Sequence, residues 1–187
     1  GPRVDPRSPG QSIASTLGPG GVPSLGLPSP GGTGYASFYL DSAPYDGLPD
    51  RNAQFGGAYV NAGDPAWYSL LSTMTVANNG LAGLVEILTP TFGKGLNCDG
   101  VFLDTLDACA PNAFGATQFE WTTPGMHKLV ERIGTDHPTK YIIANRGLFF
   151  FSPAYEHYDF TLRPLINGLM FESYYTDSSD AHEVTPS

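Results

Sequence analysis

Three short apolar runs in this chain each lead into a side chain suited to chemistry. Gly100-Val101-Phe102-Leu103 runs into Asp104, Tyr141-Ile142-Ile143-Ala144 into Asn145, and Gly168-Leu169-Met170-Phe171 into Glu172. A lone carboxylate at the end of a strand is more often a helix cap or a surface group. Three polar ends in register are harder to dismiss. Two carboxylates sharing a cleft could protonate a leaving oxygen and attack, or activate water, the pairing that glycosidic cleavage needs.

Other polar and aromatic groups lie close to these ends in sequence. Asp107 either orients a substrate hydroxyl or caps the loop that follows Asp104. Arg146 either pairs with a carboxylate and holds it ionised or forms an ordinary ion pair at the rim. Tyr39, Trp121, Phe149, Phe150, Tyr174 and Tyr175 fall near strand ends, where rings suit the apolar faces of sugars; about half are expected to face a cleft and the others to pack. His127, His137, His157 and His182 lack metal-ligand spacing. No glycine-rich phosphate loop follows a strand and there is no Gly-x-Ser-x-Gly elbow, so neither a metal nor a cofactor is expected.

Positioning these residues calls for alternating strands and helices. Asp64 can cap a helix whose first position is Pro65, and Trp67, Leu70, Leu71 and Met74 then recur at helical spacing. A second helix is expected over about 81–92, ending at Gly93. Thr123-Pro124 opens another, with Met126, Leu129, Val130 and Ile133 as its stripe, closed by His137-Pro138. A short helix is expected near Phe160 to Ile166, and earlier strands at Tyr35–Leu40 and Ala58–Asn61. Strands interleaved with helices imply right-handed crossovers and a parallel sheet, whose C-terminal strand ends gather on one side.

The bulk composition sets the limits. The chain has 187 residues, 41% hydrophobic, with a formal net charge of -9. It holds no cluster of Lys and Arg, which argues against nucleic acid or an anionic membrane as a partner. A neutral or cationic polymer fits better, although acidity also serves solubility alone. No apolar run is long enough for a membrane span. No secretory signal stands at the N-terminus, so an exported protein would have had it removed or placed upstream of Gly1. Residues 1–33 are rich in Gly, Pro and Ser and read as a linker or tether; the domain is expected over 34–187. Cys98 and Cys109 flank a strand and so should lie too far apart to bridge, unless the following loop folds Cys109 back.

The block DGVFLDTLD, from Asp99 to Asp107, resembles the signature of the glycoside hydrolase 114-like barrels, the endo-α-1,4-polygalactosaminidase group and its relatives. YIIANRG (Tyr141 to Gly147) and GLMFESYY (Gly168 to Tyr175) are similar to that family's Asn-bearing and Glu-bearing strand ends. GYASFYLD (Gly34 to Asp41) and YVNAGDPAW (Tyr59 to Trp67) are similar to its earlier strand and helix opening. The resemblance implies a (β/α)8 TIM-type barrel, secreted or at the cell envelope, that acts on amino-sugar polysaccharides without a metal. It carries the family's Asp and Glu over to Asp104 and Glu172. The barrel would be incomplete in this chain, because its first strands and its last strand are not evident and a full barrel takes about 250 residues. The chain would then be a piece of a longer protein, or would borrow closure from another chain.

Two functions follow as expectations. The first is an endo-acting, retaining glycosidase on an α-linked, galactosamine-type polysaccharide, with Asp104 and Glu172 catalytic and with Asp107, Asn145, Arg146, Tyr39 and Tyr174 binding substrate. The second is a non-catalytic glycan-binding or structural module of a surface assembly.

Overall fold

The structure is a computed structural model, and it describes residues 35–41, 48–51, 57–104, 106–109, 117–151, 153 and 158–170. The tether expected over 1–33 lies outside these, as do Glu172, Tyr174 and Tyr175.

Among the described residues three strands form a sheet: β1 (Gly100–Leu103), β2 (Tyr141–Asn145) and β3 (Gly168–Met170). They are parallel, in the order β1-β2-β3. Phe102 pairs with Ile143 and Leu103 with Ala144, while Ala144 pairs with Leu169 and Asn145 with Met170. The parallel pairing of the three apolar runs is the one their alternation with helical segments required.

Helix α4 (Thr123–Asp136) links β1 to β2, with a proline in its first turn and His137 at its C-cap. Its Leu129, Val130 and Ile133 are buried against Ile142 and Ala144 of β2. The connection from β2 to β3 adds Phe149, Phe150 and Leu162 to the same cluster. All this packing lies on one face of the sheet. The opposite face leaves Phe102, Tyr141, Ile143 and Met170 at 48%, 59%, 40% and 46% exposure.

Ahead of the sheet come α1 (Pro65–Thr73), α2 (Val76–Asn79) and α3 (Leu84–Leu88). Asp64 caps α1 by accepting from the Ala66 amide at 2.8 Å, with Pro65 at the first position. Leu70 and Met74 are buried with Ala36, Phe38 and Tyr39 in a second cluster. Glu86 of α3, fully buried, accepts from the Val76 amide at 2.7 Å and the Lys94 amide at 2.6 Å. It joins the start of α2 to the loop that delivers β1.

Several expectations need correction. The (β/α)8 barrel is the largest: the described residues hold three parallel strands in an open sheet, and 187 residues fall short of the roughly 250 that eight strand–helix units take. Tyr35–Leu40 and Ala58–Asn61 are not strands of this sheet. A turn closed by Tyr39 N–H to Ala36 carbonyl, at 3.1 Å, interrupts the first. The two segments are bridged at one isolated antiparallel pair, Tyr39 with Val60, and Ala58 pairs in the same way with Arg51.

The helix expected over 81–92 is the five-residue α3, which ends before Thr89-Pro90 because a residue preceding proline disfavours helical backbone. Gly80, at φ 78, terminates α2 separately. Near 160–166 the chain forms a 3-10 turn at Tyr158–Phe160 and then a turn closed by the Leu165 amide on the Leu162 carbonyl at 2.9 Å, in place of the expected helix. Cys98 is exposed and Cys109 buried, and both are free thiols. Among the described residues no helix is long and apolar enough to cross a membrane.

Candidate active site

The register that pairs Leu103 with Ala144 sets Asp104 beside Asn145 at the C-terminal ends of β1 and β2. Neighbouring strands lie only about 4.8 Å apart, close enough for short side chains to meet. The Asn145 carboxamide Nδ2 donates to Asp104 Oδ1 at 2.6 Å. The two partners differ in their surroundings. Asp104 is exposed, whereas Asn145 is fully buried.

Asn145 is held by the ladder on its other side, through its pairing with Met170 of β3. The next amide, of Arg146, donates to the Met170 carbonyl at 2.9 Å. The backbone then turns left-handed at two successive residues, Arg146 at φ 60 and Gly147 at φ 69. Glycine adopts that conformation freely, but an arginine is uncommon there. Gly147 also needs to lack a side chain, since a Cβ would stand 2.7 Å from Leu106 Cβ. Leu106, buried at 2% exposure, opens the 3-10 turn Leu106–Cys109 just after Asp104. The loops leaving β1 and β2 are therefore locked against one another where Asp104 and Asn145 meet. Sequence reasoning missed this Leu106–Gly147 contact; the only signal for it was a glycine two residues past a strand end.

The remaining candidates are placed as follows. The backbone of Asp107 belongs to the 3-10 turn after Asp104. Tyr39 is buried in the second cluster, its ring 4.8 Å from that of Phe38, so the structure gives it a packing role there. Phe149 and Phe150 are likewise core residues, with ring centroids 4.4 Å apart. Trp121 is half-buried. Of the expected set, the structure brings together Asp104, Asn145 and the backbone of Arg146. Glu172 and Tyr174 fall outside the described residues.

In comparisons with known families, curated proteins and solved structures, nothing matches the chain.

Proposed function

We propose that the chain is a retaining, endo-acting glycoside hydrolase on an α-linked, galactosamine-type polysaccharide, with Asp104 as nucleophile and Glu172 as acid/base. The observation that carries the reading is the carboxylate of Asp104, exposed at a parallel strand end and oriented by a buried amide from the next strand. Parallel sheets place reacting groups at that end of their strands. The reading does not require eight strands. It requires two carboxylates held over the ends of β1 and β3, and Glu172 follows the last residue of β3, Met170, by two positions in sequence.

In the first step an Asp104 oxygen bonds to the anomeric carbon while the glycosidic C–O bond breaks, and the Glu172 proton passes to the departing oxygen. In the second, Glu172 takes a proton from water, the water oxygen bonds to the anomeric carbon, and the ester to Asp104 opens. The net charge of -9 favours a polymer with protonated amino groups over an anionic one. Strands β1 and β3 stand two spacings apart, roughly 9–10 Å, and retaining enzymes hold their carboxyl groups about 5 to 5.5 Å apart. Retention therefore requires the two carboxyl groups to stand closer together than the strands that carry them.

The test is release of reducing ends from a galactosamine polymer by the wild type, Asp104→Ala and Glu172→Gln, with the anomeric form of the first product read by NMR. Turnover that both substitutions abolish, with the α-anomer formed first, supports the proposal. A wild type that binds the polymer without cleaving it would leave a glycan-binding module, and β-anomer formed first would replace retention by inversion.

A further inference from the structure

Asn145 was expected to touch substrate, and its burial argues for a different part. The geometry points to Asn145 as a positioning residue: it lies beyond a substrate's reach and fixes the orientation of the Asp104 carboxylate. The inference rests on the reading of Asp104 as the nucleophile.

Four observations combine. Asn145 is fully buried, while its partner is exposed. Its Nδ2 occupies Asp104 Oδ1 at 2.6 Å, and no described residue hydrogen-bonds the other carboxylate oxygen. The Asn145 backbone cannot drift, being paired with Met170 and followed by the Arg146 amide bond to the Met170 carbonyl. The turn beyond it is wedged under Leu106, the second residue after Asp104. An exposed aspartate otherwise samples several rotamers. Holding one oxygen from the neighbouring strand restricts the carboxylate's rotation, the pre-organisation that lets a nucleophile meet an anomeric carbon at short range.

The role predicts a specific kinetic pattern. A residue that contacts substrate in the ground state raises KM when removed, whereas one that only aims the nucleophile lowers kcat. Asn145→Leu keeps the volume and removes both polar atoms, a replacement that buried sites tolerate well. Asn145→Asp keeps the shape and removes the donor. Both variants should lose about 10- to 100-fold in kcat, the usual weight of a hydrogen bond to a charged group, with KM for the galactosamine polymer within about twofold of wild type. A raised KM at unchanged kcat would place Asn145 on the substrate and overturn the inference.

A second measurement needs no turnover. In the wild-type chain the Asn145 side-chain amide protons should exchange with solvent at least about tenfold more slowly than those of an exposed asparagine, as a buried donor engaged by a carboxylate requires. Asp104→Ala should remove much of that protection. Exchange indifferent to Asp104→Ala would sink the positioning role even in an active enzyme. Conversely, a wild type without activity defeats the hydrolase reading, while the exchange result still decides whether Asn145 holds Asp104.

Discussion

The Tyr68 hydroxyl on α1 donates to Asp136 Oδ2 near the end of α4 at 2.6 Å, across 68 residues of sequence. Arg132 completes the arrangement, with its guanidinium carbon 3.9 Å from the centre of the Tyr68 ring and its Nε 3.5 Å from Asp136 Oδ2. Burial, then the hydrogen bond and the negative charge of Asp136, push the phenol up from 10.0 to about 12, against smaller opposing effects from Ser72 and Arg132.

That shift predicts alkaline sensitivity. The folded state holds the phenolic proton more tightly than the unfolded chain, so the stabilisation is full below about pH 10. It is lost as the pH rises from 10.0 towards about 12, at a slope of at most about 1.4 kcal/mol per pH unit. Urea denaturation across pH 8 to 12 should show the decline, and Tyr68→Phe should flatten it. Near neutral pH the same variant should cost about 1 kcal/mol, since water can reach Asp136 once the hydroxyl is gone.

Glu86 should be the most sensitive carboxylate for folding. Glu86→Ala would remove the acceptor of the part-buried amides of Val76 and Lys94 and empty a fully buried site, at about 1–3 kcal/mol in all. Glu86→Gln keeps an acceptor for one of them and should lose less. Denaturant midpoints of the two variants give the order, and equal losses would contradict the two-amide account.

Gly125 is predicted to resist even alanine. A Cβ there would sit 2.8 Å from the Gly63 nitrogen and 2.9 Å from Asn61 Oδ1, so the first turn of α4 would be forced off the loop ahead of α1. Gly125→Ala should cost about 1–3 kcal/mol, whereas Gly57→Ala, with open space around its Cβ, should stay within about 0.5 kcal/mol. Thermal melts of the pair test the contrast.

Arg146 offers a way to separate folding from chemistry. Replacement by glycine relieves the left-handed backbone at φ 60 but loosens the unfolded chain, two effects of similar size and opposite sign. Arg146→Gly should therefore change stability by less than about 1 kcal/mol. If the guanidinium serves the reaction, reducing-end release by this variant falls while its melting curve stays in place.

Much of the sheet could be read in the residues. β1, β2 and β3 are short continuous apolar runs, and α4 carries an unbroken helical stripe, so period and length both pointed the same way. The residues before Pro65 were harder. Apolar runs such as YASFYL suit a strand as well as a turn packed on a helix, and only the Tyr39–Ala36 hydrogen bond and the burial of Phe38 against Leu70 decide between them. At the site, the register of polar strand ends was visible because it follows from a repeated pattern. The reach of Asn145 to Asp104 was not, because burial on one side and exposure on the other depend on loops that meet in space. The Gly63–Gly125 approach, 62 positions apart, left no local trace.

The exposed apolar side chains of the sheet have a practical consequence in solution. Among the described residues Phe102, Tyr141, Ile143 and Met170 form an apolar surface beside the outer edges of β1 and β3, a combination that draws like molecules together. At rising concentration the second virial coefficient of this chain should turn negative, and kosmotropic salts, which strengthen apolar burial, should bring on turbidity early. Ile143→Lys, a single charge placed at the middle of that face, should widen the range of clear solution while leaving Ile142 and Ala144 packed beneath α4.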